Sequence, residues 1–176
     1  MWNILNSLKK FSFKIKLNFY FLAMITFVLV KDNSYVAVLG ILSALLHELG
    51  HILVMSNSGD VVKEIDFGLV NIDILDNNDK NVLLDKNELL ILLSGSVVNF
   101  VVAVLLIGIY YLSNNNVIRV FAIQNFIVGI LNLLPISQLD GGRILFILLS
   151  RHLKLCLTEK ILKTISFIFL LPIIVL

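Results

Sequence analysis

A single cysteine, Cys156, excludes any disulfide within the chain and leaves the redox compartment open. Charge is scarce too: Asp, Glu, Lys and Arg supply 15% of the residues, against 59% hydrophobic ones and a mean hydropathy of +0.97. Soluble domains carry about 25% charged and about 45–50% apolar residues, so a soluble fold could not hide this much apolar surface. The chain is expected to be integral to a membrane, with one apolar bundle as its natural unit. No small-x-small cleavage pattern follows the first apolar run, which argues against a cleaved signal peptide. Internal repeats and low-complexity tracts are missing as well. The formal net charge of +2 says little by itself, and no nucleic-acid partner is expected.

What is present is a series of apolar runs. Residues 1–16 hold Lys9, Lys10, Lys14 and Lys16 and no acid. The run Leu17–Val30 that follows reads as an uncleaved first span, with Phe11 and Phe13 at its interface. Tyr35–Met55 is long enough to cross a hydrocarbon core of about 30 Å and reads as the second span. Leu89–Leu112 is the third, the polar stretch Ser113-Asn114-Asn115-Asn116 turns the chain, and Val117–Leu134 is the fourth. Arg119 sits near the start of that span, where its side chain can snorkel to the interface. After Pro135 the apolar run Ile144–Leu149 is too short to span and reads as a partly inserted or interfacial helix. Ile161–Leu176 reads either as a last span with snorkelling ends or as a run cut short.

Between the second and third spans, Ser58–Glu88 gathers eight of the twelve acids and three lysines. Ile65, Phe67 and Leu69 alternate with Glu64, Asp66 and Gly68, and Val70, Ile72 and Ile74 alternate with Asn71 and Asp73. Alternation with period two predicts one or two strands, with the phase slipping at Leu69–Val70, rather than a solvated acidic loop. The expected fold is an all-α polytopic membrane protein: a bundle of about four to six transmembrane helices. A small β hairpin or sheet at the membrane surface would lie between the second and third spans. Placing residues 1–16, 58–88 and 141–163 on one side collects 12 of the 14 basic residues there, so that side, with the N-terminus, is expected to be cytoplasmic.

Within the second span stands His47-Glu48-Leu49-Gly50-His51. On a helix, residues four apart lie above one another, about 6 Å along the axis, so both imidazoles can aim at one point. A zinc ion needs such convergence, and Glu48 flanks it where a carboxylate can take a proton from activated water. Three fixed positions can coincide by chance. Ionisable groups in a membrane-length apolar segment are costly, however, and without a metal, partner or water they would be hard to keep. A third ligand is needed, and the candidates are Asp140, His152, Glu88, Glu159 and the loop acids. Asp140 follows Asn132-Leu133-Leu134-Pro135 and precedes Gly141-Gly142, where Pro135 denies a backbone donor and the glycines permit close approach. Backbone broken at membrane depth must line protein or a water-filled cavity, so Asp140 is favoured as a ligand over a mere cap on a helix starting at Gly141.

His-Glu-Leu-Gly-His in one span, followed by Asn132-x-x-Pro135-x-x-x-Leu139-Asp140-Gly141-Gly142 after a later one, resembles the site-2 protease family, peptidase family M50. Gly95-Ser96-Val97-Val98-Asn99 resembles that family's Gly-x-x-x-Asn element. The resemblance covers residues 37–143 and is closest to the compact stage IV sporulation protease branch, which processes a membrane-associated sigma-factor precursor. It implies a single intramembrane metalloprotease domain over 1–176, with its core at about 37–143, a β segment at about 60–76 and C-terminal helices at about 144–176. It implies one Zn2+ held by His47, His51 and Asp140, with Glu48 as general base. Asn132, and more weakly Asn99, would position substrate or stabilise the oxyanion. For Asn99 the alternative is a hydrogen bond between helices. The partners implied are the lipid bilayer and a single-span or membrane-attached substrate presented to the strands in extended form. There is room for a regulatory membrane partner, and the setting implied is a bacterial cell membrane.

Rival readings are weaker. Glu48-Leu49-Gly50-His51 is also the Glu-x-x-His of di-iron carboxylate proteins, but Glu64, Glu88 and Glu159 are followed three residues later by Phe67, Ile91 and Leu162, so the second motif is missing. A metal transporter would commonly show repeated halves, and a catalytically silent receptor has no need of Glu48.

Overall fold

The computed structural model describes residues 14–17, 35–58, 62–67, 72–76 and 86–175. The expected first span lies outside them apart from Leu17. In chain order the elements are β1 (Lys14–Leu17), α1 (Val36–Ser58), β2 (Val62–Phe67), β3 (Ile72–Asp76), α2 (Lys86–Ser113), α3 (Asn116–Asn132), α4 (Asp140–Ser150) and α5 (Leu155–Val175). Helices α1, α2 and α3 pack on one another, and α5 packs on α4, which also meets α2.

Two stretches, Val36–Ser56 of α1 and Glu88–Ser113 of α2, are long and apolar enough to cross a membrane, and only about a third of each is buried within the protein. The core helix of a soluble protein would be mostly buried. What is buried points the same way. The largest fully buried side chains among the described residues are Asn99, Asn125, Thr158, Ser43 and Ser96, all polar. Val104, Leu105 and Ile109 on α2, and Ile123, Phe126 and Ile127 on α3, face outward. Lipid solvates such side chains as well as a protein core does, so these helices associate through small residues and hydrogen bonds instead.

Local sequence sets the helix junctions. Asn114 adopts φ 51° and returns its N–H to the Tyr110 carbonyl at 2.8 Å, a left-handed cap that ends α2. The Asn115 side chain then accepts from the Val117 N–H at 2.9 Å and starts α3. The buried face of α3 is Ala122, Asn125 and Gly129. Gly129 lets Phe100 of α2 lie against the backbone, for a Cβ there would come within 2.7 Å of that ring. Gly50 and Gly95 do the same between α1 and α2: a Cβ on Gly50 would stand 2.8 Å from the Ser94 carbonyl and 2.9 Å from Gly95 Cα.

Several boundaries differ from the sequence reading. Helix α2 begins at Lys86, before Leu89, and α5 begins at Leu155, so Lys160 and Lys163 ride on it. Helix α3 stops at Asn132, before Pro135 is reached. Its end tightens, with Leu133 N–H on Ile130 O and Leu134 N–H on Leu131 O, just before the proline, which has no N–H to continue the ladder. Strands β2 and β3 pair antiparallel, Ile65 opposite Ile74 and Phe67 opposite Ile72, with an irregularity between Val62 and Glu64. Strand β1 was not foreseen. It runs parallel to β2, with Lys14 opposite Glu64 and Leu17 opposite Phe67, and four residues are too few for periodicity to reveal. Its addition makes β2 the central strand.

Candidate metal centre

His47 and His51, four apart on α1, are both buried. The Nδ1 of His51 donates to the Ile91 carbonyl of α2 at 2.7 Å, which assigns the ring proton to Nδ1 and leaves the Nε2 lone pair free to ligate. The two Nε2 atoms are 3.1 Å apart, with the rings nearly perpendicular at 87°. Asp140 completes a triangle: its Oδ2 lies 2.8 Å from His47 Nε2 and 3.1 Å from His51 Nε2. Lone-pair donors this close repel one another unless a cation or shared protons lie among them. Tetrahedral zinc, with bonds of about 2.0–2.2 Å, spaces its ligands about 3.3–3.5 Å apart. The donor set fits zinc in kind and number, with the triangle a few tenths of an ångström tighter. A Glu48 carboxylate oxygen lies within 4.8 Å of the histidine ligand atoms, on a half-buried side chain beside the triangle.

Asp140 reaches this point through the turn 133–139. It is the first residue of α4, and Leu139, not Asp140, holds the cap position, with no side-chain cap bond. A carboxylate in the first turn also suits the positive end of the helix dipole. The turn is wound tightly, with Ile136 N–H on Leu134 O at 2.7 Å and Leu139 N–H on Ile136 O at 2.9 Å. A Cβ on Gly141 would overlap the Leu133 carbonyl, and one on Gly142 the Ile136 carbonyl, so glycine alone fits at either position. Helix α5 braces the turn from outside. The Ser166 hydroxyl accepts from Ser137 N–H at 2.9 Å while donating to Leu162 O at 2.7 Å.

The remaining candidates lie elsewhere. Glu88 pairs with exposed Arg143 at 3.5 Å, and together with Glu159 they line a cavity of about 290 Å³ between α2, α4 and α5. His152 is exposed in the turn after α4. The side chains of the loop acids before Glu88 fall outside the described residues. Asn132, the last residue of α3, is half-buried and donates to the Val128 carbonyl at 3.1 Å. Asn99 is fully buried, and its Nδ2 donates to Ser43 O of α1 at 3.3 Å, the bond between helices named above as its alternative. Sequence reasoning missed the Ile91 carbonyl, a backbone group with no side-chain signature. It also missed Ser166, whose only signal is a hydroxyl in an apolar run.

Comparison with known proteins bears on this geometry. The sequence model of peptidase family M50 matches residues 113–176, a stretch that holds Asn132 and Asp140 and lies beyond the histidines of α1. A zinc metalloprotease of Methanocaldococcus jannaschii is 30% identical over an alignment of 156 positions, and the match covers 83% of this chain. The chain spans 44% of that relative's length. The solved structure of a site-2 protease from Methanocaldococcus jannaschii aligns with a TM-score of 0.64 at 26% identity, over 89% of this chain and 78% of that one. Family model, relative and solved fold together support the peptidase M50, or site-2 protease, family for this mostly helical chain.

Proposed function

We propose that the chain is an intramembrane zinc endopeptidase that cuts a membrane-associated or single-span protein within or near the bilayer. One observation carries this reading: Nε2 of His47, Nε2 of His51 and Oδ2 of Asp140 lie within 3.1 Å of one another, with the Glu48 carboxylate alongside. His47, His51 and Asp140 would hold the zinc. A zinc ion bound there supplies Lewis-acid chemistry, acidifying water and polarising a carbonyl oxygen. Glu48 accepts the proton of the water that attacks the peptide carbonyl and then delivers it to the leaving amine. Asn132, at the end of α3 where the turn to Asp140 departs, orients the substrate backbone. Asn99 holds α1 to α2 instead of touching substrate.

A helical substrate hides its scissile amides, so local unwinding precedes attack. Because β2 is flanked on both sides, β3 is the strand of the hairpin with an edge to offer an extended substrate. The distribution of lysines and arginines supports a cytoplasmic side for the N-terminus, the sheet and the active site, and the motif resemblance supports a bacterial cell membrane as the setting. The compact sporulation branch, with a sigma-factor precursor as substrate, is the finer assignment supported by the motif resemblance, and a regulatory membrane partner would act at the same face.

The test compares membrane proteomes of cells making the intact chain or Glu48→Gln, with zinc content measured on both purified proteins. A single-span or membrane-attached precursor is expected to accumulate only with Glu48→Gln. Equal processing by a zinc-loaded Glu48→Gln protein would overturn the assignment of the base. Metal uptake into vesicles without cleavage of any chain would turn the reading to a transporter.

A further inference from the structure

His51 fixes its ring through a direct bond from Nδ1 to the Ile91 carbonyl, whereas His47 has no such partner. Its Nδ1 is buried and unbonded among the described residues, and so are Ser96 Oγ and Asn99 Oδ1 of α2. The three residues are 3%, 1% and 0% exposed, a depth at which polar atoms are rarely left unpaired. Their places on the two helices relate them. The His47 ring lies against Gly95, where a Cβ would be 2.6 Å from its Cε1, and Ser96 is the next residue. Asn99 stands one turn beyond Gly95 on the same face of α2, bonded to the carbonyl of Ser43, which lies one turn before His47 on α1. Side chains on a helix lean toward its N-terminus, so the imidazole of His47 leans toward the level of Asn99.

The hydrogen-bonding capacities match. With its Nε2 given to the zinc, His47 would carry its proton on Nδ1 and be a donor there. Asn99 has spent its Nδ2 on Ser43 and offers Oδ1 as an acceptor. The Ser96 hydroxyl serves either way. No two of these atoms are bonded directly, and a buried water typically joins about three such groups.

We propose that His47 Nδ1, Asn99 Oδ1 and Ser96 Oγ share one buried water, and that Asn99 and Ser96 are thereby positioning residues for His47. The water accepts the His47 proton, donates to Asn99 and pairs with the serine hydroxyl, fixing the tautomer and plane of a ring that would otherwise be held only at Nε2. This deepens the zinc reading and rests on it. It also gives the Gly-x-x-x-Asn element a physical role: Gly95 admits the ring and Asn99 holds it.

The test uses the full chain in detergent, with zinc affinity read by competition against a chromogenic chelator and site geometry by the visible absorption of the cobalt(II) form. Ser96→Ala and Asn99→Leu are each expected to weaken zinc about tenfold or more and to shift the cobalt bands, while Ser96→Thr, which keeps the hydroxyl, restores both. Affinities within about twofold of the intact chain, with unchanged cobalt bands, would overturn the proposal and leave the zinc site standing. Should Asn99→Leu lose its helical circular dichroism, the decision passes to intact, zinc-loaded protein labelled with nitrogen-15 histidine. A His47 Nδ1 proton with a cross-peak to water is expected there, and its absence overturns the proposal. Failure of the intact chain to hold zinc at all would instead remove the endopeptidase reading and this proposal with it.

Discussion

Gly95 of α2 faces the His47 imidazole so closely that a Cβ in its place would lie 2.6 Å from Cε1 and 2.7 Å from Nε2. The same atom would stand 2.7 Å from His51 Cε1, so neither ring can give way without leaving the Asp140 oxygen. Gly95→Ala is therefore expected to cost about 1–3 kcal/mol through overpacking and to weaken zinc at least about tenfold. Gly108→Ala, on the same helix with nothing within 4 Å of the added carbon, should be neutral or stabilising by up to about 1 kcal/mol. Thermal unfolding and chelator competition on both variants measure the contrast, and equal behaviour would show that the glycine contact does not shape the site.

The proposed chemistry gives the carboxylates separable tasks. Asp140→Ala removes one corner of the triangle and should lower zinc content after dialysis, whereas Glu48→Gln should keep the metal and lose cleavage by about a hundredfold or more. Metal analysis and a cleavage assay on the same preparations distinguish the two. Loss of zinc from Glu48→Gln would move that residue from proton transfer to ligation.

Stripping the metal should act like Asp140→Ala. A chelator is expected to abolish cleavage by the intact chain, and added zinc to restore it, because His47, His51 and Asp140 stay paired through the fold. Cleavage that persists with no zinc detectable would sink the proposed chemistry.

Glycine in the turn before α4 is equally constrained. A Cβ on Gly141 or Gly142 would fall on backbone carbonyls of Leu133 and Ile136, which cannot rotate aside as a flexible side chain would. Either alanine variant should lose about 3 kcal/mol of stability, and zinc along with it, because Asp140 rides on that turn. Retention of zinc by a folded Gly142→Ala protein would mean that the turn repacks without moving the carboxylate.

The two bonds that brace this region differ in worth. Ser166→Ala leaves the Ser137 N–H without its acceptor and should cost about 1–3 kcal/mol, with weaker zinc. Arg143→Ala breaks a 3.5 Å pair whose arginine is 62% exposed, and pairs of that kind are worth about 0–1 kcal/mol. Unfolding midpoints of the two variants give the comparison directly.

Much of this was legible from residue order. The spacing of His47 and His51 is a property of any α-helix, and the apolar runs between Tyr35 and Leu134 marked where α1, α2 and α3 lie. Alternation around Glu64–Ile74 marked strands without needing a partner. Periodicity is blind to short elements, and so β1, four residues of alternating lysine and aliphatic, went unseen. Helix ends were misjudged by a few residues, as where α3 stops at Asn132 and not at Leu134, because tightened last turns leave no mark in hydropathy.

By itself, the sequence determined the chemistry on offer: two imidazoles and a carboxylate on one helix, and a lone aspartate between a proline and two glycines. Only the tertiary structure decided that the aspartate travels to the histidines, since that depends on Gly141 and Gly142 folding against the carbonyls of Leu133 and Ile136 and on Ser166 holding the turn from α5. The same holds for the interior. Which serines and asparagines are buried follows from how close α1, α2 and α3 approach, a distance set by Gly50, Gly95 and Gly129 acting across helices, and local sequence carries no record of what a glycine will meet.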